Sequence, residues 1–273
     1  MQLGFVSGIK EDSFRIANEI GFDGVEIAVG KWAGRDGEPT SENAQRTKEL
    51  IGKYGLKALT VQWAEVHYEL ENSVDRLKQL VVFANGVETN MITTNLWVPP
   101  DMAISDRFNY FKKIWIELAK IAEDAGMKIA IENCPHGVKN LASCPATFRR
   151  MFELVSSNAL GLQYDPSHFV FQFMDYLAPI REFGPRIYSF HAKDTQILYD
   201  RLNDVGVYGD QYGQDGWWRF RVPGYGDIDW RKIFIALSDI GYAGDVIIEH
   251  EDPVLCGEDG LRRGYRFLQD YIF

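Results

Sequence analysis

Short apolar runs alternate with amphipathic stretches along the whole chain. Eight runs have the length and composition of buried strands: Leu3–Ser7, Gly24–Val29, Ala58–Trp63, Met91–Val98, Lys128–Asn133, Leu160–Asp165, Ile187–His191 and Asp245–His250. A stretch with helical periodicity follows each run: Glu11–Ile20, Ser41–Tyr54, Ser73–Asn85, Ser105–Ala125, Ala146–Ser156, Met174–Phe183, Asp229–Ile240 and Asp259–Tyr271. Eight such pairs predict an α/β fold, the (β/α)8 TIM barrel, and no break in composition divides residues 1–273 into separate domains.

The connection before the seventh long helix is much longer than the others. It runs from Thr195 to Ile228 and is rich in glycine, tryptophan, tyrosine and aspartate. Connections beyond about 12–15 residues are commonly functional, and the aromatic content argues against disorder. Because this loop follows the seventh strand, we expect it at the C-terminal face of the barrel. There it would act as a lid or as a subunit contact in a homodimer or homotetramer.

The last four predicted strands each end in or beside a side chain that can ligate a metal. These side chains are Glu132, Asp165, His191 and Glu249. Since the carboxyl ends of parallel barrel strands share one rim, the four would converge there. Three carboxylates and one imidazole favour a single Mn²⁺, Mg²⁺ or Co²⁺ ion, with Zn²⁺ as a further possibility. Each residue also has a structural alternative: a solvated strand end, a turn before Pro166, or a core histidine.

Strand parity leaves two candidates for the last ligand. Glu249 and Glu251 would point to the same face of the final strand, so either could reach the barrel axis. We expect Glu249 to be the ligand, because Glu251 is followed by Asp252 and Pro253, a sequence typical of a turn.

The composition argues against two classes of partner, nucleic acids and membranes. The net charge is -10 and the isoelectric point about 5.1, which argues against a nucleic-acid partner. The first residues lack the pattern of a signal peptide, and no apolar stretch reaches the roughly 18–20 residues of a membrane helix, so no membrane association is expected. Three cysteines without CxxC spacing favour free thiols and a cytoplasmic location.

The motifs IAIEN, QYDPSH, FHAKD and IIEHEDP resemble those of the xylose isomerase-like sugar phosphate isomerases and epimerases. That family includes ketose 3-epimerases and inosose dehydratases, and GFDGVEI and GYGDIDW extend the similarity over nearly the whole chain. The resemblance implies that the metal ligands are Glu132, Asp165, His191 and Glu249. It also implies that His168, in the DxxH motif, approaches substrate oxygens, although a histidine packing on the following helix would fit this position as well.

The same resemblance implies a reaction. The enzyme would be a divalent-metal-dependent isomerase or epimerase that removes a proton next to the carbonyl of a small carbohydrate and forms a metal-stabilised enediolate. Glu132 and Glu249 would be the catalytic carboxylates, one removing the proton and the other returning it on the opposite face.

Two departures from the family pattern weaken the assignment to free ketoses. Ile197 stands where ketose 3-epimerases have an arginine, and Val138 stands where they have a second glutamate. The main alternative is a lyase or dehydratase that acts on an inosose or a 3-keto-glycoside through the same enolate. An apurinic-site endonuclease would need more histidines than these five, none of which lies in residues 192–248. A non-catalytic sugar-binding barrel also stays open, because fold does not fix function.

Aromatic and charged residues near the same rim are candidate substrate contacts. Trp63 and Trp97 would pack on a sugar face or on the rim itself. Arg219 and Arg221, in WWRFRVPG, would bind a phosphate, a carboxylate or a glycosyl hydroxyl group, or would contact a partner subunit. Lys193 would contact the substrate or pair with the adjacent Asp194.

A glutamate also lies in the second predicted strand. This residue is Glu26, towards the end of GVEI. We expect it to be a structural polar residue near the mouth, with substrate contact as the alternative.

Overall fold

Eight parallel strands close into a barrel in the computed structural model of this protein. The structure describes residues 1–30, 37–64, 70–99, 101–135, 140–213 and 215–272, with the backbone alone at 70, 71 and 104. Val138 lies outside these ranges. The strands are β1 Leu3–Ser7, β2 Gly24–Val29, β3 Lys57–Trp63, β4 Met91–Thr94, β5 Lys128–Glu132, β6 Leu160–Tyr164, β7 Ile187–Ala192, β8 Asp194–Ile197, β9 Trp218–Arg221 and β10 Val246–Ile248. Strands β1 to β7 follow one another around the barrel and β10 closes it between β7 and β1, which confirms the (β/α)8 fold.

Helices alternate with the barrel strands. In the described part of the chain they are α1 Glu11–Ile20, α2 Ser41–Tyr54, α3 Leu70–Gly86, α4 Ile104–Asp124, α5 Pro145–Leu154, α6 Ser167–Val170, α7 Ala178–Phe183, α8 Tyr199–Val205, α9 Trp230–Asp239 and α10 Gly257–Gln269. Helices α1 and α2 have the predicted bounds. Gly21 and Gly55 end them in the left-handed conformation that glycine adopts most easily, and the Thr40 side chain accepts a hydrogen bond from the Asn43 N–H at the start of α2.

The barrel core explains why the strands are continuously apolar. Every residue of β2 and of β6 is buried, as expected for strands that pack on a barrel interior on one face and on helices on the other. None of the helices in the described ranges is long and apolar enough to cross a membrane.

Several elements end or begin at different residues from those predicted. Strand β4 ends at Thr94 instead of Val98, because the Leu96 N–H donates to the Asn140 side chain instead of to a neighbouring strand. Helix α7 begins at Ala178 instead of Met174, because the Asp175 carboxylate accepts hydrogen bonds from the N–H groups of residues 177 and 178.

The segment predicted as a loop over residues 195–228 contains regular structure. Strands β8 and β9 form an antiparallel hairpin that pairs Thr195 with Phe220 and Ile197 with Trp218, and helix α8 lies between them. Ile197, Trp217, Trp218 and Phe220 form a cluster separate from the barrel core. The hairpin therefore has its own small apolar core above the barrel.

Asp194 ties this segment to the barrel. Its Oδ1 accepts hydrogen bonds from the N–H groups of Thr195 and Ile228, and its Oδ2 accepts from the Gly224 N–H and the Trp230 indole. Four donors on one buried carboxylate fix both ends of the segment. Lys193 contacts two glutamates, Glu249 and Glu251, instead of the predicted alternative partner Asp194.

Candidate metal centre

The four predicted ligands meet at the C-terminal rim of the barrel. One ligand atom from each of Glu132, Asp165, His191 and Glu249 lies within 4.8 Å of the others, and all four residues are buried. Glu132 is the last residue of β5, Asp165 directly follows β6, His191 lies in β7 and Glu249 directly follows β10. Because these strands are neighbours in the barrel, their ends present the four side chains to one point.

The donor set fits a divalent cation. Asp165 Oδ2 and His191 Nδ1 are buried, and their polar contacts are long, at 3.3–3.5 Å. His191 Nδ1 lies 3.3 Å from Glu249 Oε2 and 3.5 Å from Glu132 Oε1, so one cation among these atoms would contact the imidazole and the carboxylates together. Oxygen ligands with a single imidazole suit Mn²⁺, Mg²⁺ or Co²⁺.

Lys193 brings positive charge to the same carboxylates. Its Nζ lies 2.6 Å from Glu249 Oε2, 3.3 Å from Asp165 Oδ2 and 3.1 Å from Glu251 Oε2. Burial lowers the pKa of this ammonium, but the surrounding carboxylates raise the pKa well above its ordinary value, and the group stays charged. The Glu251 side chain is 43% exposed and that of Glu249 is 9% exposed, so Glu249 is the one that joins the buried cluster.

The carboxylates of Glu132 and Glu249 are held in their ionised form. Burial on its own would raise the pKa of Glu132, but hydrogen bonds from His168 and His191 hold that pKa well below the ordinary value. The Glu249 pKa is likewise lowered against burial, mainly by the charge of Lys193. Burial lowers the pKa of His191, but the carboxylates of Glu249 and Glu26 raise it overall. A cation would therefore meet the ionised carboxylates of Glu132 and Glu249, and its binding would release one proton from His191.

A carboxylate inside the barrel orients His191. Glu26 is fully buried in β2, and its Oε1 lies 3.1 Å from His191 Nε2. Its Oε2 accepts hydrogen bonds from Thr60, Thr93 and Gln163. Glu26 thus engages Nε2 of the imidazole, which leaves Nδ1 to face the metal ligands.

The sequence does not predict this orienting role. It predicts a structural polar residue near the mouth, with substrate contact as the alternative. The one signal for it is a glutamate in the middle of the otherwise apolar run GVEIAV. A buried charge there needs hydrogen-bond partners from other strands of the barrel. The sequence of one strand does not show which residues these partners are.

His168 reaches the cluster from helix α6. Its Nε2 lies 3.2 Å from Glu132 Oε1 and 3.3 Å from Asp165 Oδ2. Its ring packs edge-on against Phe171 and Phe220. Its Nδ1 is buried and has no hydrogen-bond partner among the described residues. His168 and Lys193 are thus the two predicted substrate contacts that the structure brings to the cluster.

The predicted contacts Trp63 and Trp97 are buried at the rim. Trp63 ends β3 as predicted, is 2% exposed and packs in the barrel core. Trp97 lies three residues beyond β4, is 8% exposed and pairs through its backbone with Asn140. Their contact with a sugar stays a prediction.

Arg219 lies on the hairpin and contacts Gln196 there. Its guanidinium donates two hydrogen bonds, of 3.0 and 2.8 Å, to the Gln196 side chain on the facing strand. Strand alternation places Arg219 on the face of β9 opposite Phe220, whose ring centre lies 4.3 Å from Lys193 Nζ. The structure therefore does not bring Arg219 to the cluster, and its substrate contact also stays a prediction.

Aromatic rings beside His168 and Lys193 form a wall that the sequence did not indicate as part of the site. Phe171 and Trp218 stack with ring centres 4.0 Å apart and planes 8° apart, and Phe220 packs against both. The WWRFR motif was the available signal, but only the structure shows that Trp218 and Phe220 face Phe171 and His168.

Comparison with known proteins decides the family. The model of the xylose isomerase-like TIM barrel family matches residues 14–271. The chain belongs to the xylose isomerase-like TIM barrel family. Within that family, an uncharacterized protein of Bacillus subtilis (strain 168) is 25% identical over 304 residues, which cover 96% of this chain and 95% of that protein. An inosose dehydratase of Bacillus thuringiensis (strain Al Hakam) is 28% identical over 220 residues, covering 80% of this chain and 65% of that enzyme.

Solved structures with the same barrel include enzymes of two reaction types. The 3-keto-D-glucoside 4-epimerase of E. coli superposes with a TM-score of 0.75 and 18% identity over 99% of both chains. A probable 3-DHS dehydratase of Bacillus anthracis superposes with a TM-score of 0.73 and 17% identity, over 98% of this chain and 99% of its own. At these identities the similarity shows the fold.

Proposed function

We propose that this protein is a divalent-metal-dependent isomerase or epimerase that removes a proton next to the carbonyl group of a sugar or sugar derivative. The observation that carries the proposal is the convergence of Glu132, Asp165, His191 and Glu249 within 4.8 Å at the barrel rim. A divalent cation bound there would polarise the substrate's oxygens and stabilise the negative charge that develops as the proton leaves.

Glu132 and Glu249 are the proposed catalytic carboxylates. They lie at the ends of β5 and β10, with β6 and β7 between them, so they would approach a bound substrate from different sides. Asn95 Nδ2 donates to Glu132 Oε2 at 2.9 Å and fixes the orientation of that carboxylate. One carboxylate would take the proton and the other would return one, each within about 3 Å of the carbon-bound hydrogen.

Lys193 and His168 are the proposed donors to the substrate. Lys193 Nζ is charged and lies among the carboxylates, where it would donate to an oxygen on the reacting carbons. His168 lies beside Asp165 and Glu132 and would bind a second oxygen. The aromatic wall of Phe171, Trp218 and Phe220 would pack on the C–H face of the sugar and exclude water from the site.

A dehydratase is the second candidate, and the buried Lys193 favours it. Loss of the carbon-bound proton can be followed by loss of a hydroxyl group on the next carbon. That hydroxyl leaves as water if a donor supplies a proton, and the Lys193 ammonium lies beside the carboxylates that would take the first proton. Inosose dehydratases among the relatives support this alternative.

The remaining expectations are part of the proposal. Manganese is the first metal to test, and the ligand set also accommodates Mg²⁺, Co²⁺ or Zn²⁺. A cytoplasmic location, a small-molecule carbohydrate as the only partner class and a homodimer or homotetramer stay predictions.

Product identity separates the two candidates. Purified protein supplied with Mn²⁺ would be incubated with ketoses, inososes and 3-keto-glycosides, and the products analysed by NMR and mass spectrometry. A product of unchanged mass and altered configuration or carbonyl position identifies an isomerase or epimerase. A product lighter by one water, with an α,β-unsaturated carbonyl, identifies a dehydratase. Absence of any product from all three substrate classes would contradict the proposed function.

A further inference from the structure

A second group of metal-binding side chains shares one member with the first. Cys134, His168 and Glu132 each place one ligand atom within 4.8 Å of the others. Cys134 is half-buried, and His168 and Glu132 are buried. Glu132 is therefore common to the two groups.

The backbone of this second group is fixed. The Asn140 side-chain amide donates to the carbonyl oxygen of Glu132 at 2.9 Å and to that of Cys134 at 2.6 Å. One amide thus holds two of the three ligand-bearing residues in a constant relative position. The third, His168, lies 3.2 Å from the shared carboxylate.

The ligand atoms of this second group differ in chemical type from those of the first site. A thiolate, an imidazole and a single carboxylate suit Zn²⁺, whereas Mg²⁺ and Mn²⁺ prefer oxygen ligands. His168 Nε2, at 3.2 Å from Glu132 Oε1, is the ring nitrogen that faces the shared carboxylate. Three protein ligands with an open fourth position are the usual arrangement of a zinc ion that also holds water or another small ligand.

The geometry needs only a small contraction. Tetrahedral zinc with bonds of 2.0–2.3 Å separates its ligand atoms by about 3.3–3.7 Å. The three atoms here lie within 4.8 Å, so side-chain rotations of about 1 Å would close the site.

We infer that Cys134, His168 and Glu132 form a second metal site, selective for zinc-type ions, and that its occupation inhibits the enzyme. Binding would release the thiol proton to solvent and would engage both the proposed substrate donor His168 and the proposed base Glu132. The existence of the site is independent of the proposed function, whereas the inhibition rests on it.

Cobalt tests the site without any activity measurement. Co²⁺ coordinated by a thiolate absorbs through sulfur-to-metal charge transfer, so metal-free protein would be titrated with Co²⁺ and followed by ultraviolet and visible absorption. Wild type is expected to bind two Co²⁺ ions per chain and to develop the thiolate band. Cys134→Ser and Cys134→Ala should bind one ion and lack the band, while the control Cys144→Ser should match wild type. A single ion without the band in wild type, or a band that persists in both Cys134 variants, would overturn the inference.

A second measurement tests inhibition. Enzyme loaded with Mn²⁺ would be assayed with and without added Zn²⁺, and the ratio of the two rates compared between proteins. We expect Zn²⁺ to lower the wild-type rate at least tenfold and to lower that of Cys134→Ser less than twofold. Equal inhibition of both proteins would show that zinc acts by replacing the first metal and would overturn the inhibitory role. If the proposed reaction itself fails, the cobalt titration still decides whether the site exists.

Discussion

His191 Nε2 lies 3.1 Å from Glu26 Oε1, and both side chains are fully buried. The two residues are 165 positions apart in the chain. Glu26 engages Nε2 in the barrel interior, so Nδ1 is the nitrogen that faces the metal ligands at the rim. Metal affinity should therefore depend on a residue that touches neither metal nor substrate.

Replacing Glu26 by Gln tests this dependence. The amide keeps the size of the side chain but removes its charge, so His191 loses the partner that fixes its proton and orientation. Loss of such an orienting partner typically weakens metal binding about 10–100-fold. We expect a rise of this size in the Kd for Mn²⁺, measured by isothermal titration calorimetry. Glu251→Gln, which removes an exposed carboxylate near the site, is the control. Unchanged affinity in a correctly folded Glu26→Gln protein would contradict the role of Glu26.

Glu249→Gln should abolish turnover and leave the fold largely intact. The substitution removes both a ligand charge and a proposed proton acceptor. Loss of a positioned general base alone typically costs about 10²–10⁴-fold in rate. The measurement is kcat with Mn²⁺ at saturation, with circular dichroism to verify folding. Near-wild-type activity would remove Glu249 from the mechanism, and a greater loss in Glu251→Gln would assign its role to Glu251.

Asp194→Asn should destabilise the hairpin segment. Each carboxylate oxygen of Asp194 accepts two hydrogen bonds from N–H donors. An amide nitrogen in place of one oxygen would lose two of these bonds and face two donors. We expect a loss of about 2–3 kcal/mol in the free energy of unfolding, measured by urea denaturation. Asp210→Asn, at an exposed position in the same segment, is the control and should change it little. Equal stability of the two variants would refute the tethering role of Asp194.

Asp245 should make stability depend on pH. Burial raises its pKa to about 6, against an opposing effect of the chain's amino terminus and Lys57. A raised pKa means that the folded state binds the proton more tightly than the unfolded state. The contribution of Asp245 to stability is therefore full below its ordinary pKa of 3.8 and is lost as pH rises through about 6.

Asp245→Asn removes this titration and gives the matching test. At pH near 7 the variant should be more stable than wild type by about 1 kcal/mol, a value that is reduced because the side chain is partly exposed. At pH near 4 the two proteins should have about equal stability. Urea denaturation at both pH values measures the difference. Asp194, whose pKa is also raised to about 6, titrates in both proteins and cancels in the comparison. A stability difference that does not vary with pH would contradict this account.

Features with local causes could be predicted from the sequence. Helices α1 and α2 were bounded correctly because glycine ends both of them. Glu132, Asp165, His191 and Glu249 could be proposed as ligands because each lies at the end of an apolar run, and barrel geometry brings such ends together.

Features that depend on contacts across the fold could not be predicted in this way. Glu26 meets His191 only because β2 and β7 face the same barrel interior. Strand alternation puts Trp218 and Phe220 on one face of β9, but only the folded hairpin brings that face against Phe171 and His168. Cys134 looked like one of three unremarkable thiols, and its place beside His168 follows from the path of the chain after β5.

The central claim is that a metal at the rim makes this protein remove a proton next to a carbonyl. The most direct measurement is deuterium incorporation at that carbon, followed by NMR in D₂O with a ketose, an inosose or a 3-keto-glycoside. Protein loaded with Mn²⁺ should exchange the proton, and metal-free protein and Mn²⁺-supplied Glu249→Gln should not. Exchange of equal rate in metal-free protein, or none in the loaded wild type with any of the three substrates, would contradict the claim.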